Sequence, residues 1–157
     1  MSSIQNPLLQ DYVRHDWIDY NGHMTDHAYA LVFSLAVDKL MVDLGIDEAF
    51  REEHQYSIYT LETHLCYLQE AHKDEELHVD IQLLDYDSKR MHAFFTMFNA
   101  DGAPLATSEQ MLMGMDMKEG RPSPFPSSIQ AAIENLGNSQ QDLPKPKQAG
   151  RVIGIRK

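Results

Sequence analysis

The sequence predicts an α+β domain in which an antiparallel β-sheet wraps one long helix. Three observations lead there. The stretch from Thr25 to Leu44 reads as a helix whose first half, Ala28 to Phe33, is apolar on every side, and a helix apolar nearly all round must be buried nearly all round. Leu77, Val79, Ile81 and Leu83 alternate with His78, Asp80 and Gln82, the period-two pattern of a sheet with one wet face. The segments after the helix are joined by short turn signals, so they pair antiparallel, and the long helix is the one element able to cover their apolar face.

Taken in order, Tyr12 to Ile18 reads as a weak strand and Asp19-Tyr20-Asn21-Gly22 as a turn, because Asn-Gly adopts positive φ at low cost. Thr25 or Asp26 caps the helix, which stops at Gly45, a favoured C-terminal cap. Tyr59, Leu61, Leu65 and Tyr67 alternate with Thr60, Glu62, His64 and Cys66 as a strand, placing Thr60, Glu62, His64 and Cys66 on one face. Strands over Arg90 to Phe98 and Leu105 to Met117 are joined through Asp101-Gly102, a hairpin signal. Together these strands read as a meander. Met111, Met113, Met115 and Met117 share one face of the last strand, as plastic filler for a core or a subunit interface. Pro122, Pro124 and Pro126 read as a stiff linker, Ser127 to Leu136 as a short helix, and Pro144 and Pro146 as the approach to a basic tail.

Composition narrows the function classes. The chain has 157 residues, 43% apolar and 24% charged, which fits one globular domain. Its net charge of −11 disfavours nucleic acid, whose phosphates are bound through Lys and Arg. The longest apolar run, six residues from Ala28 to Phe33, is far below the ~20 that cross a bilayer. The start, Met-Ser-Ser-Ile-Gln-Asn-Pro, lacks a basic region followed by an apolar stretch, so a cytoplasmic location is expected. Cys66 is the single cysteine and cannot by itself form an intrachain disulfide or a thiolate metal site. Lys145, Lys147, Arg151, Arg156 and Lys157 occupy the last 13 residues without an acid, leaving eight basic against 24 acidic residues before them, a balance of −16. That tail is either a solvated end or a local anion site.

Reactive side chains concentrate between His15 and His27, at the entry to the helix. His23 and His27 are four apart, but the Met-Thr-Asp between them lacks the Glu that follows the first His of a zinc-protease helix, so no metal is expected. Phosphate-binding glycine loops and the Gly-x-Ser-x-Gly elbow are absent from the sequence, which disfavours serine-hydrolase chemistry. A carboxylate site remains: Asp19 in a tight turn before the N–H groups of a helix start, where a developing oxyanion is stabilised. The alternative is that Asp19 only caps its turn.

The run from Asp19 to Tyr29, Asp-Tyr-Asn-Gly-His-Met-Thr-Asp-His-Ala-Tyr, resembles the Asp-x-x-Gly-His-Val-Asn-Asn-x-x-Tyr stretch of hotdog-fold thioesterases in the 4-hydroxybenzoyl-CoA thioesterase class. Asp19-x-Asn21-x-His23 also resembles the spacing in acyl-carrier-protein thioesterases of that fold. Thr25 and Asp26 stand where the class carries a pair of Asn. The stretches from His15 to Thr25, Tyr59 to His64 and Ala106 to Leu112, with Ala149-Gly150-Arg151 near the end, are similar to thioesterases of bacterial carnitine catabolism. The resemblance implies a hotdog thioesterase domain over residues 1–120, a C-terminal extension over 121–157, hydrolysis of betainyl-CoA without a cofactor, and a homodimer or higher homo-oligomer with its ligand site at the subunit interface. It implies a catalytic carboxylate at Asp19 and an oxyanion-binding N–H near Asp26. Asn21 is expected to orient water or substrate, His23 to share proton transfer or brace the loop, and Glu62 to stand as a second carboxylate. Trp17, Asp26, Tyr29 and Tyr59 are expected at a quaternary-ammonium acyl group, since aromatic faces and carboxylates hold such cations. Arg151 and Lys147 are expected at the phosphates of CoA. Rival functions are a hotdog acyl-CoA hydratase or dehydratase and a non-catalytic acyl-CoA sensor.

Overall fold

The computed structural model describes residues 6–157, so the first five residues of the leader, where no secretory signal is read, lie outside it. The elements run β1 (Leu9–Tyr12), a 3-10 turn (His15–Trp17), α1 (Asp26–Leu44), α2 (Glu48–His54), β2 (Tyr56–Tyr67), β3 (Glu76–Tyr86), β4 (Arg90–Phe98), β5 (Pro104–Asp116), β6 (Arg121–Pro122) and α3 (Ser127–Gln140). Among the described residues no helix is long and apolar enough to cross a membrane.

α1 begins after Thr25 and ends at Gly45, whose φ of 105° supplies the left-handed cap. It buries Ala28, Tyr29, Val32, Phe33, Ala36, Val37, Leu40, Met41 and Leu44, one stripe at helical spacing. The expected burial on all sides is not realised within one chain, because a single sheet covers a single side; Leu31 and Val42 on the far side are 44% and 50% exposed. α2 carries no buried residue, so no apolar periodicity marks it in the sequence.

All strands pair antiparallel in the order β1-β3-β4-β5-β2, with β6 on β5. The simple meander is corrected here: β3, β4 and β5 are consecutive neighbours, but β2 crosses to the far edge and pairs with β5. The strand expected over Tyr12 to Ile18 is also corrected. Pairing with β3 uses Leu9 to Tyr12, after which the chain leaves the sheet in the 3-10 turn that buries Trp17.

The expected Pro-rich linker is pinned to the sheet: the Ser123 N–H donates to the Gly114 carbonyl at 3.0 Å, the Phe125 N–H to that of Ser88 at 2.9 Å, and Phe125 is buried. α3 runs one turn beyond Leu136 and sends Ile129 and Ile133 into the same core as α1. Gln140 then caps the open edge of β3, its Oε1 accepting from the Leu83 N–H at 2.7 Å and its Nε2 donating to the Ile81 carbonyl at 2.8 Å. The tail continues over the sheet face opposite α1, where Gln82 donates to the Pro144 carbonyl at 3.2 Å and the Gly150 N–H to Glu109 at 2.8 Å. Met111, Met113 and Met115 lie half-buried beside the buried Leu112 of the same strand, and Met117 lies just past its end; they are not core filler.

Candidate active site

The loop between the 3-10 turn and α1 is organised by one carboxylate. Asp19 is half-buried; its Oδ1 accepts from the Asn21 N–H at 2.8 Å and the His23 N–H at 3.1 Å. Its backbone N–H donates to the His23 carbonyl at 2.9 Å and its carbonyl accepts from Gly22 at 3.0 Å, with Gly22 at a φ of 78° closing the turn. Among the described residues Oδ2 has no hydrogen-bond partner. Thr25 occupies the N-cap of α1 yet makes no side-chain cap bond; its hydroxyl and N–H both donate to the Trp17 carbonyl, at 3.2 and 2.8 Å. The helix start therefore lacks the usual hydroxyl cap, and with the Ala28 N–H on the Thr25 carbonyl at 3.0 Å and the His27 N–H on a carboxylate, the N–H of Asp26 is the one left over among the described residues. Asp26 uses its own Oδ1 to accept from the His27 N–H at 2.7 Å.

The aromatic residues expected at the acyl group have separate surroundings. Trp17 is buried, and the Arg14 guanidinium lies 4.6 Å over its ring. Tyr29 is buried and braces the β2–β3 loop: its hydroxyl accepts from the Ala71 N–H at 3.1 Å and donates to the Gln69 carbonyl at 3.4 Å. Burial raises its pKa above the ordinary phenol value, and the negative charges of Glu70 and Glu75 add to that. Tyr59 is exposed on β2 opposite Met113. Sequence reasoning missed Tyr67: its ring meets that of Tyr29 with centroids 5.3 Å apart, and its hydroxyl donates to the Asp26 carbonyl at 3.3 Å. Burial and the charge of Asp26 raise its pKa as well. Tyr67 was legible only as the last residue of an alternating strand, which does not say that the strand ends beside the start of α1.

Glu62 falls elsewhere. The pairing of β2 with β5 shifts at Leu61, so Thr60 pairs with Leu112 while Glu62 pairs with Met111, and a one-residue slip reverses the face of everything beyond it. The expected shared face of Thr60, Glu62, His64 and Cys66 is thus broken at the bulge. Thr60, Thr63 and Leu65 line a cavity of about 450 Å³ with Ala30, Phe33, Ser34 and Val37 of α1. Glu62 and His64 line another, of about 190 Å³, with His92, Glu109, Met111 and Arg151. Arg151 therefore lies with Glu62, and Lys147 near it in the tail. Glu109 anchors this second group, bonded to His92 Nε2 at 2.7 Å as well as to Gly150. Burial acts to raise its pKa, but the Gly150 N–H, the His92 bond and the charges of His92 and His64 outweigh it and leave Glu109 below the ordinary carboxylate range.

One group at the loop has metal-ligand character: His23, Glu70 and His72, the last two from the β2–β3 loop, hold their ligand atoms within 4.8 Å of one another. The His27 ring lies 3.8 Å from Asp26, and His27 is not a member of that group.

The chain is 38% identical over 156 residues to a betainyl-CoA thioesterase of Pseudomonas aeruginosa, covering 99% of this chain and 95% of that one. It is 38% identical over 152 residues to an L-carnitine dehydrogenase/betainyl-CoA thioesterase of Rhizobium meliloti, matching 96% of this chain and 30% of that longer protein. A Staphylococcus aureus hypothetical protein solved in complex with CoA superposes with a TM-score of 0.90 at 33% identity, over 94% of both chains. The model of the thioesterase-like superfamily matches residues 13–133, a span that takes in the Asp19 loop, α1, strands β2 to β6 and the buried residues of α3. With its hotdog architecture and a carboxylate loop at the start of the central helix, the chain belongs to the thioesterase-like superfamily.

Proposed function

We propose that this protein hydrolyses a short acyl-CoA, with betainyl-CoA as its substrate and glycine betaine and CoA as products. The observation that carries the chemistry is the split role of Asp19: Oδ1 is held by two backbone N–H groups, while Oδ2 is open. A carboxylate fixed through one oxygen presents the other either to a water as general base or to the thioester carbonyl as nucleophile. The backbone N–H of Asp26, at the start of α1, is the donor assigned to the developing oxyanion, since the next two N–H groups are taken by Asp26 Oδ1 and the Thr25 carbonyl, and the thiolate leaves without assistance. Asn21, exposed beside Asp19, orients water or substrate, and His23 braces the loop. Glu62 is assigned the lesser share, since the cavity it lines contains no residue of the Asp19 loop.

The acyl preference rests on the betainyl-CoA thioesterases to which the chain is similar end to end, and on the acidic and aromatic groups around the helix start. Asp26, Tyr67 and Tyr29 offer a carboxylate and two aromatic rings, of which Tyr67 is the accessible one. Trp17 joins such a site only if Arg14 leaves its ring. The protein acts as a homodimer in this reading, because α1 is apolar on a side that its own sheet does not cover, with Leu31 and Val42 exposed there, and because edge strand β2 presents Leu61 to solvent.

The test is release of free thiol from betainyl-CoA, benzoyl-CoA and fatty acyl-CoAs, with enoyl-CoA assayed for hydration, by wild type and Asp19→Asn. Asparagine keeps an oxygen for the two N–H groups, so the loop survives. Hydrolysis favouring betainyl-CoA and falling by at least ~100-fold in the variant is expected; near-wild-type turnover removes Asp19 from the mechanism, and hydration without thiol release makes the protein a hydratase. Sedimentation at assay concentration checks the dimer.

A further inference from the structure

The β2–β3 loop brings two side chains against His23 that the hydrolytic reading does not use. We propose that His23, Glu70 and His72 bind one divalent transition-metal ion of the zinc class.

The geometry is close to a closed triad. Ligand atoms of the three residues lie within 4.8 Å of one another, with His23 Nε2 and Glu70 Oε2 3.5 Å apart and the two imidazoles meeting edge to face, centroids 4.9 Å apart. Around tetrahedral zinc, bonds of ~2.0–2.2 Å set neighbouring ligand atoms roughly 3.4 Å apart. Binding an ion would draw the three side chains together by the difference.

The backbone under the triad is tied down. His23 and His72 face each other in an antiparallel bridge, flanked by the Met24 N–H to Ala71 carbonyl bond at 2.8 Å and the Lys73 N–H to Gly22 carbonyl bond at 3.2 Å. Tyr29 bonds to the residues on both sides of Glu70. Glu75 completes the arrangement: its Oε1 accepts from the His72 N–H at 3.0 Å and lies 3.7 Å from His72 Nδ1. At 3.7 Å the ring contact is a charge contact and not a hydrogen bond, so Glu75 fixes the His72 backbone and sets a negative charge beside its ring, where metal sites place a second layer of carboxylates. Two imidazoles and one carboxylate suit zinc, cobalt or nickel and not magnesium or calcium, which take oxygen. Three protein ligands leave a position for water.

The experiment uses the full chain without an affinity tag, stripped by a chelator. Calorimetry with zinc chloride at neutral pH is expected to give one saturable site per chain, Co2+ a visible absorption band of a low-coordinate site, and Zn2+ a higher melting temperature. His72→Ala is expected to weaken Zn2+ binding by at least ~100-fold and to abolish the melting shift; Glu75→Gln, which keeps all three ligands, by ~10- to 100-fold. No saturable binding by the wild type, or undiminished binding by both variants, overturns the site. Every readout is binding or stability, so failure of the thioesterase reading leaves the outcome legible.

Discussion

Tyr67 and Trp17 divide the question of how a trimethylammonium group would be held. Trp17 offers the larger ring but is buried under Arg14, whereas Tyr67 is 51% exposed beside Asp26. A quaternary ammonium cannot donate a hydrogen bond, so an aromatic face is worth ~0.5 to 2 kcal/mol to it. Tyr67→Ala is therefore expected to lower kcat/KM for betainyl-CoA by ~2- to 30-fold relative to an uncharged short acyl-CoA, with Trp17→Ala affecting both substrates alike through lost packing. Competition kinetics with the two thioesters measures the ratio; an unchanged ratio for Tyr67→Ala together with a changed one for Trp17→Ala would return the cation to the tryptophan.

At the scale of elements, the closure of the sheet's far end depends on one missing methyl group. Tyr56 begins β2 and reaches over Gly114 of β5, donating from its hydroxyl to the Ser123 carbonyl at 2.9 Å. Burial holds that phenol protonated well beyond its ordinary pKa, so the donor persists throughout the working pH range. A Cβ on Gly114 would overlap the Tyr56 hydroxyl and come within 2.9 Å of the Ser123 oxygen. Gly114→Ala must therefore displace Tyr56 or the strand that carries Ser123, at ~1–3 kcal/mol, and a fall of several degrees in melting temperature is expected. Thermal denaturation checks it; wild-type stability would mean that the Tyr56 bond contributes nothing. The same scale holds the bulge at Leu61, which turns Glu62 away from α1 and gives Thr63 and Leu65 to the α1 cavity.

For the molecule as a whole, the basic tail is the element that the sheet holds in place. It is clamped at Gly150 by Glu109, and beyond the clamp Val152, Ile153 and Ile155 are each more than four-fifths exposed. If Arg151 and Lys147 hold the phosphates of CoA, truncation after Pro144 raises KM for the CoA thioester, less so at high salt, and leaves a thioester of a small uncharged thiol unaffected. The clamp carries a pH sign. The pKa of Glu109 is depressed in the folded state, so its contribution is present above the ordinary carboxylate value and is lost as pH falls through the folded value. On acidification the Gly150 amide should exchange faster and the full-length KM should approach that of the truncated chain. Equal kinetics for both chains at low salt and neutral pH would reduce the tail to a solvated end.

The sequence by itself determined the long helix from Asp26 to its glycine cap, the strand character of β2 to β5, and the Asp19 turn with its Asn21-Gly22 signal, because each is written in contiguous residues through periodicity, capping or positive φ. Tertiary structure alone decided which edge β2 joins, since alternation marks a strand without naming its neighbour. It decided the face of Glu62, because a bulge is a mismatch between two strands and has no signature in one. It also decided that His23 meets His72 and Glu70 rather than His27. Those residues are brought together by backbone bonds between loops some 50 positions apart in the chain, and side-chain spacing along a sequence reports only what a single helix or strand brings together.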